Sequence, residues 1–168
     1  GPYTGFTDFL ERVDLKAVNH KVLESLIQTG AFDSIESGRA VLFHNLDRVI
    51  NFVSQKKESL KYGQSFLFED SDDNIFDHIE LEQIEEWPEM EILRFEKENL
   101  GVYFSGHPLD KYREIWEKST IIDLGNPGRC KENKTYEFIG ILKSIKEIQT
   151  KSGKRMAFAQ FEDYNGSV

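Results

Sequence analysis

Sulfur is scarce in this 168-residue chain, which holds one cysteine, Cys130, and two methionines. A lone cysteine closes no intrachain disulfide, so the chain is no disulfide scaffold, and a cytoplasmic setting is expected. No run approaches the ~20 apolar residues of a membrane span, and no membrane partner is expected. The opening Gly1-Pro2-Tyr3-Thr4-Gly5-Phe6 has neither the basic-then-apolar order of a signal peptide nor a Met. It reads as the start of a piece of something longer. The four histidines, His20, His44, His78 and His107, lack zinc spacing. Glu69, Asp70, Asp72 and Asp73 lack the glycine turn and distal Glu of a calcium loop. Cys130 has no His companion that suggests a nucleophile. No metal, no cofactor and no catalytic set is expected, and the chain has no internal repeat.

What is present is charge, unevenly spread. Charged residues make up 30% of the chain, apolar ones 39%, and the net charge is -9. Residues 1–62 balance 8 acids against 8 bases, residues 63–100 hold 13 acids and 2 bases, and residues 101–168 hold 9 acids and 11 bases. The acidity therefore belongs to the middle. The slightly basic last third keeps a nucleic-acid partner open despite the global charge.

Periodicity predicts a short helix over 7–14 capped by Thr7, then a helix over 19–29 capped by Asn19 and stopped by Gly30. The short link between them makes a helical hairpin. A longer helix over about 38–60, capped by Ser37, buries Leu42, Leu46, Val49, Ile50 and Val53. Lys56, Lys57 and Lys61 suit its C-terminus. Residues 69–86 read as a mobile acidic linker. Helices follow over 89–100, stopped by Gly101, and over about 108–118, with Pro108 at the first position. From Tyr136 the period becomes two, with both faces apolar enough to be covered. A turn at 150–154, a second strand at 155–162, another turn at 163–166 and a third strand beginning at Ser167-Val168 complete the pattern.

Four groups of residues are candidates for recognition. Phe66-Leu67-Phe68 follows a helix stop and precedes the acidic run. It is either local core or an exposed peptide whose apolar anchors fill a partner's pocket while Gln64 supplies a directional amide. Lys16, His20 and Lys21 flank a helix N-terminus, where phosphate is welcome, although no glycine there permits close backbone approach. Lys151, Lys154 and Arg155 crowd the strand turn, as phosphate contacts or as ordinary solvated charges. Tyr136, Phe138, Phe158 and Phe161 are either stacking platforms or core.

Several segments resemble one family in order along nearly the whole chain: the alpha (catalytic) subunit of bacterial DNA polymerase III. Residues 1–9 resemble the run after that family's first helix-hairpin-helix motif, whose glycine hairpin would precede Gly1, and 18–33 its next helical unit. Gly63-Gln64-Ser65-Phe66-Leu67-Phe68 stands where the family carries an internal clamp-binding peptide. Glu96-Lys97-Glu98-Asn99-Leu100-Gly101-Val102-Tyr103-Phe104-Ser105-Gly106-His107-Pro108-Leu109 is similar to its C-terminal signature. Residues 136–168 resemble the opening strands of its OB domain. The resemblance implies a parent that is a DNA-directed DNA polymerase, with the active site upstream of this piece.

The resulting expectation is a mainly α chain, a helix-hairpin-helix-type bundle followed by a truncated β-hairpin from an OB fold. Its segments are a helical domain (1–62), a clamp-binding peptide with acidic linker (63–86), a helical connector (87–120) and the start of an OB domain (121–168). The expected function is non-catalytic: docking a sliding clamp through Gln64, Ser65, Phe66, Leu67 and Phe68, and contacting DNA through Lys16, Lys21, Lys151, Lys154 and Arg155. Other replicase subunits are further expected partners. The rival reading is a structural spacer between domains, with neither clamp nor DNA contact. A strand edge at 155–162 is expected to self-associate or to be poorly ordered.

Overall fold

The computed structural model describes residues 1–36, 38–61, 79–119 and 122–168. The described chain is mostly helical and ends in a two-stranded antiparallel hairpin. It forms two compact units, Gly1–Tyr103 and Phe104–Val168. The segment expected as a connector, 87–120, is thus divided between them.

In the first unit, α1 (Phe6–Arg12), α2 (His20–Gln28) and α3 (Arg39–Lys61) surround one apolar cluster, and α4 (Glu89–Leu100) packs against α2. Phe6, Leu10, Leu23, Ile27, Phe32, Leu42, Leu46, Val49 and Val53 are buried there, each contributing about 1.5–3 kcal/mol. Phe32 closes the α1–α2 pair, meeting Phe6 and Phe9 edge to face at 4.9 and 5.1 Å. The start of α1 differs from expectation. Gly5, not Thr7, is its N-cap, and Asp8 reaches back to accept from the Thr4 N–H at 3.1 Å. The helix ends at Arg12, two residues early.

Asn19 caps α2 as predicted, its side chain accepting from the Val22 N–H at 3.1 Å. Gly30, at φ 75°, ends it. The Gly30 N–H donates to the Ile27 carbonyl and the Ala31 N–H to the Leu26 carbonyl, both at 3.0 Å, a Schellman closure. The predicted cap of α3, Ser37, lies outside the described residues.

Residues 79–86 carry no helix or strand, but they do not match a free linker. Asn45, 3% exposed, exchanges two hydrogen bonds of 3.0 Å with the Glu82 backbone. Arg48 donates to the Glu80 carbonyl at 2.9 Å, and Leu81 packs on the core. The Glu86 carboxylate accepts from the Ala40 N–H at 3.0 Å, at the N-terminal end of α3. Backbone-directed bonds of this kind leave no periodic trace in sequence.

In the second unit the predicted helix over 108–118 is shifted and split. A 3-10 turn, Asp110–Tyr112, precedes α5 (Arg113–Ser119), because the Asp110 carboxylate accepts from the His107 N–H at 2.7 Å and tightens the start. Strand β1 is Ile141–Gln149 rather than starting at Tyr136. Tyr136 instead accepts from the Lys131 N–H at 2.9 Å through its hydroxyl, and Phe138 packs on Phe161. Strand β2, Arg155–Glu162, has the predicted bounds. The pairing carries a bulge between Leu142 and Ser144. The turn at 163–166 returns the chain so that Phe161 and Val168 exchange bonds of 2.8 and 2.9 Å; where a third strand is expected to begin there is an isolated bridge, Glu162 to Ser167. Burial on both faces of β1 is not found: Leu142, Ile145, Met156 and Phe158 are all exposed.

Candidate nucleic-acid interface

The expected contact residues fall into two groups, one in each unit. The first is the α-hairpin, the turn from Val13 to Asn19 between α1 and α2. The Asp14 backbone carbonyl accepts from the Ala17 and Val18 N–H groups at 2.9 Å, and its carboxylate accepts from the Lys16 N–H at 2.9 Å. Three consecutive amides are therefore spent inside the turn. A fourth, that of Val22, is taken by Asn19. A phosphate here would meet side chains rather than a nest of free N–H groups.

The side chains are partly neutralised too. Lys21 lies 3.4 Å from Glu24. His20 lies 2.9 Å from Asp47 and 3.6 Å from Glu24. Lys16 is exposed and has no carboxylate partner among the described residues. Of the two lysines predicted here, Lys16 is the one left available.

The second group crowns the β-hairpin. Thr150 organises the turn: its N–H donates to the Lys154 carbonyl at 2.8 Å, and its hydroxyl accepts from the Lys154 N–H at 3.1 Å. Gly153 takes φ 79°, open to glycine without strain. This closure brings the predicted Lys151, Lys154 and Arg155 together, all exposed and none paired with a carboxylate among the described residues. Directly below, Lys146 stands opposite Phe158, and Ile148 opposite Met156, on one face of the ladder. Phe158 is 58% exposed and so is not core, whereas Phe161 is half-buried against Phe138.

The base of the β-hairpin is anchored by two carboxylates. Asp163, 3% exposed, accepts from the Leu124, Asn165 and Gly166 N–H groups at 2.8–3.0 Å. Gly125 and Gly166 pass so closely that a Cβ on either would strike the other's backbone neighbourhood. Asp110 accepts from the His107 N–H, from Arg113 at 2.7 Å and from the Tyr164 hydroxyl at 2.9 Å, and its pKa is lowered to about 2. The Tyr164 ring meets His107 at 4.3 Å, Trp116 at 5.0 Å and the Arg113 guanidinium at 4.7 Å.

The most buried ionic group escaped the sequence reading. Arg39 and Glu96 are 8% and 0% exposed. Arg39 donates twice to Asp33, at 2.6 and 3.0 Å through Nη2 and Nε, and to Glu96 at 3.0 Å. The Asp33 carboxylate above all, with help from Glu96, keeps the guanidinium pKa raised against burial. A Cβ at Gly30 would run into that guanidinium, so the glycine serves both the left-handed turn and the ion network. The signal was the Glu96 carboxylate on the apolar stripe of α4. A cleft of about 430 Å³ between Trp116, Arg129 and Tyr136 is lined by Glu117 and Asp123 as well, two carboxylates against one guanidinium, so its lining is net negative.

The clamp-docking residues Gln64, Ser65, Phe66, Leu67 and Phe68 lie outside the described residues. Among the described residues, no group of three or more His, Cys, Asp or Glu side chains is placed to hold a metal ion, and no helix is long and apolar enough to cross a membrane.

Residues 1–42 match the family model described as a helix-hairpin-helix motif, which covers α1, the hairpin, α2 and the start of α3. DNA polymerase III subunit alpha of Borreliella burgdorferi is 42% identical over 171 residues, covering 100% of this chain and 15% of that protein. The chain is homologous along its whole length to a segment of DNA polymerase III subunit alpha. The subunit of Treponema pallidum is 40% identical over 168 residues, and that of Vibrio cholerae 30% over 171, each again covering the whole chain. The chain spans about 15% of the length of these relatives. The homologous segment includes both the α-hairpin and the β-hairpin, while the motif model covers only the first.

Proposed function

We propose that this chain is a non-catalytic DNA-handling and clamp-docking segment of a replicative DNA polymerase. The observation that carries the reading is homology over the full chain to one segment of DNA polymerase III subunit alpha. The parent would perform template-directed nucleotidyl transfer in the cytoplasm of a bacterium, alongside other replicase subunits. The segment's task is to hold DNA and the sliding clamp near that reaction.

For DNA, the supporting geometry is the unpaired cluster of Lys151, Lys154 and Arg155 above the exposed Phe158, a combination suited to a phosphate backbone with unstacked bases. In this reading the β-hairpin opens an OB domain. Lys16 and, more weakly, Lys21 add contacts at the α-hairpin. For the clamp, Leu67 and Phe68 fill an apolar pocket while Gln64 fixes direction. The flanks of this peptide, α3 and the strap at 80–86, are fastened to each other through Asn45 and Arg48. A short peptide of this kind binds at roughly micromolar strength. Tethering then turns rebinding into an intramolecular event, so weak docking still yields processivity.

A titration of the chain against a purified clamp ring tests the reading. Saturable binding that is abolished by changing Leu67 and Phe68 to alanine is expected. Binding unchanged by that double substitution would remove the docking claim. The spacer reading draws on the buried Arg39–Glu96 network, an investment in rigidity, and it predicts no binding to clamp or DNA at all.

A further inference from the structure

One cation reaches the α-hairpin from outside it. Lys57 belongs to α3, and its Nζ donates to the Leu10 carbonyl at 3.0 Å and the Val13 carbonyl at 2.9 Å. These are carbonyls at the C-terminal end of α1, which has only seven residues. The last carbonyls of a helix lack intrahelical partners and form its negative pole. Here the pole is continuous with Asp14, whose carbonyl and carboxylate gather the next three amides. Without Lys57, the Leu10 and Val13 carbonyls would lose their cation three to six residues before Lys16.

We propose that Lys57 is the positioning residue of the α-hairpin: its ammonium, supplied from α3, closes the carbonyl end of α1, fixes the turn that follows, and cancels the negative pole beside Lys16. Sequence assigns Lys57 to the C-terminus of its own helix. The structure spends it on a different one, 44 and 47 residues away. Only the last part of the proposal, the effect on phosphate, rests on the DNA-handling reading.

Two arms test it. In the unaltered chain, brief acetylation with acetic anhydride followed by mass spectrometry should label Lys57 at least about tenfold more slowly than exposed Lys16, because both carbonyl bonds must open first. Equal labelling overturns the proposal and needs no variant. In the second arm, Lys57→Met should speed hydrogen exchange at the Ala17 and Val18 amides, and Lys57→Arg should retain protection. Lys57→Ala should regain it on addition of propylammonium, which a loss of packing alone would not do. Unchanged exchange in Lys57→Met, or equal loss in Lys57→Arg, overturns the proposal. Duplex affinity should fall about three- to tenfold in Lys57→Met, the scale of a helix-pole charge. A wild-type chain that binds no DNA would defeat the DNA-handling reading while leaving the labelling and exchange results to decide on Lys57.

Discussion

At the α-hairpin Lys21 lies 3.4 Å from Glu24 and His20 2.9 Å from Asp47, whereas at the β-hairpin Lys151, Lys154 and Arg155 have no carboxylate partner among the described residues. The first region carries the family-model match, spends the amides of its turn on itself and leaves Lys16 as its one predicted lysine without a carboxylate partner among the described residues. The second carries no such match and leaves its cations to solvent. The motif match thus covers one unpaired lysine of the two predicted there, while three unpaired cations stand together at the β-hairpin, outside the match. The two regions also differ in support. A buried ion network at the C-terminal end of α2 braces the unit that holds the first, and a surface stack around Tyr164 anchors the second.

The largest effect should come from removing that first support. Arg39→Met leaves Glu96 fully buried without its cation, a loss of about 3–5 kcal/mol. The urea midpoint of the chain reads it directly. A shift worth under about 1 kcal/mol would mean that the ion network adds little to the first unit, and the contrast in support would disappear.

Next comes the difference in charge. Replacing Lys151, Lys154 and Arg155 together by alanine should lower single-strand affinity about tenfold or more and reduce the salt slope by about 2, since each lost phosphate contact removes ~0.7. The same treatment of Lys16 and Lys21 should change the slope by less than half as much. Equal losses from the two sets would break the comparison.

Acid should loosen the Tyr164 stack of the second region. The His107 N–H foremost, then Arg113 and Tyr164, hold the Asp110 pKa at about 2, below its ordinary 3.8. Because the folded value is the lower one, the stabilisation is fully present above the unfolded value and is lost as the pH falls from near 4 through about 2. Trp116 fluorescence followed across that window should report release of the Tyr164 stack. Asp110→Asn should flatten the profile.

How much of this was legible differs by the kind of force. Local rules carried well: Asn19 and Gly30 bound α2, Gly101 at φ 77° ends α4, and the hairpin turn and β2 stand where period and turn chemistry placed them. These features depend on a residue and its near neighbours. Long-range polar contacts did not carry. Nothing in the spacing of Arg39 and Glu96, 57 residues apart, announces a pair, and Asn45 binds a backbone 37 residues on. The expected cover on β1 also failed, because alternation shows which side chains share a face but not whether anything packs on it. Of the DNA-contact candidates, Lys16, Lys151, Lys154 and Arg155 were chosen on charge and position, and the structure leaves them unpaired. Lys21 was chosen on the same grounds, but its partner Glu24 lies one helical turn away.

A smaller effect belongs to the cap. Asn19→Ala removes the acceptor for the Val22 N–H and should cost about 1 kcal/mol. It also frees one amide at the α-hairpin. If duplex affinity rises while stability falls, the amides spent inside that turn are what keeps phosphate away.

The smallest effect is the sharpest for the comparison. Lys21 and Glu24 form an exposed pair, with 78% of the lysine side chain accessible, so Lys21→Ala should change stability by less than about 0.5 kcal/mol. Its consequence for DNA decides what the pair is for. If Glu24 merely shares Lys21 with solvent, the lysine can swing to a phosphate, and Lys21→Ala should weaken duplex binding as much as Lys16→Ala. If the pair persists, Lys21→Ala should leave binding almost unchanged, and Glu24→Gln should strengthen it by releasing the cation. The geometry of the α-hairpin favours the second outcome, since His20 and Lys21 both lie beside the Glu24 carboxylate.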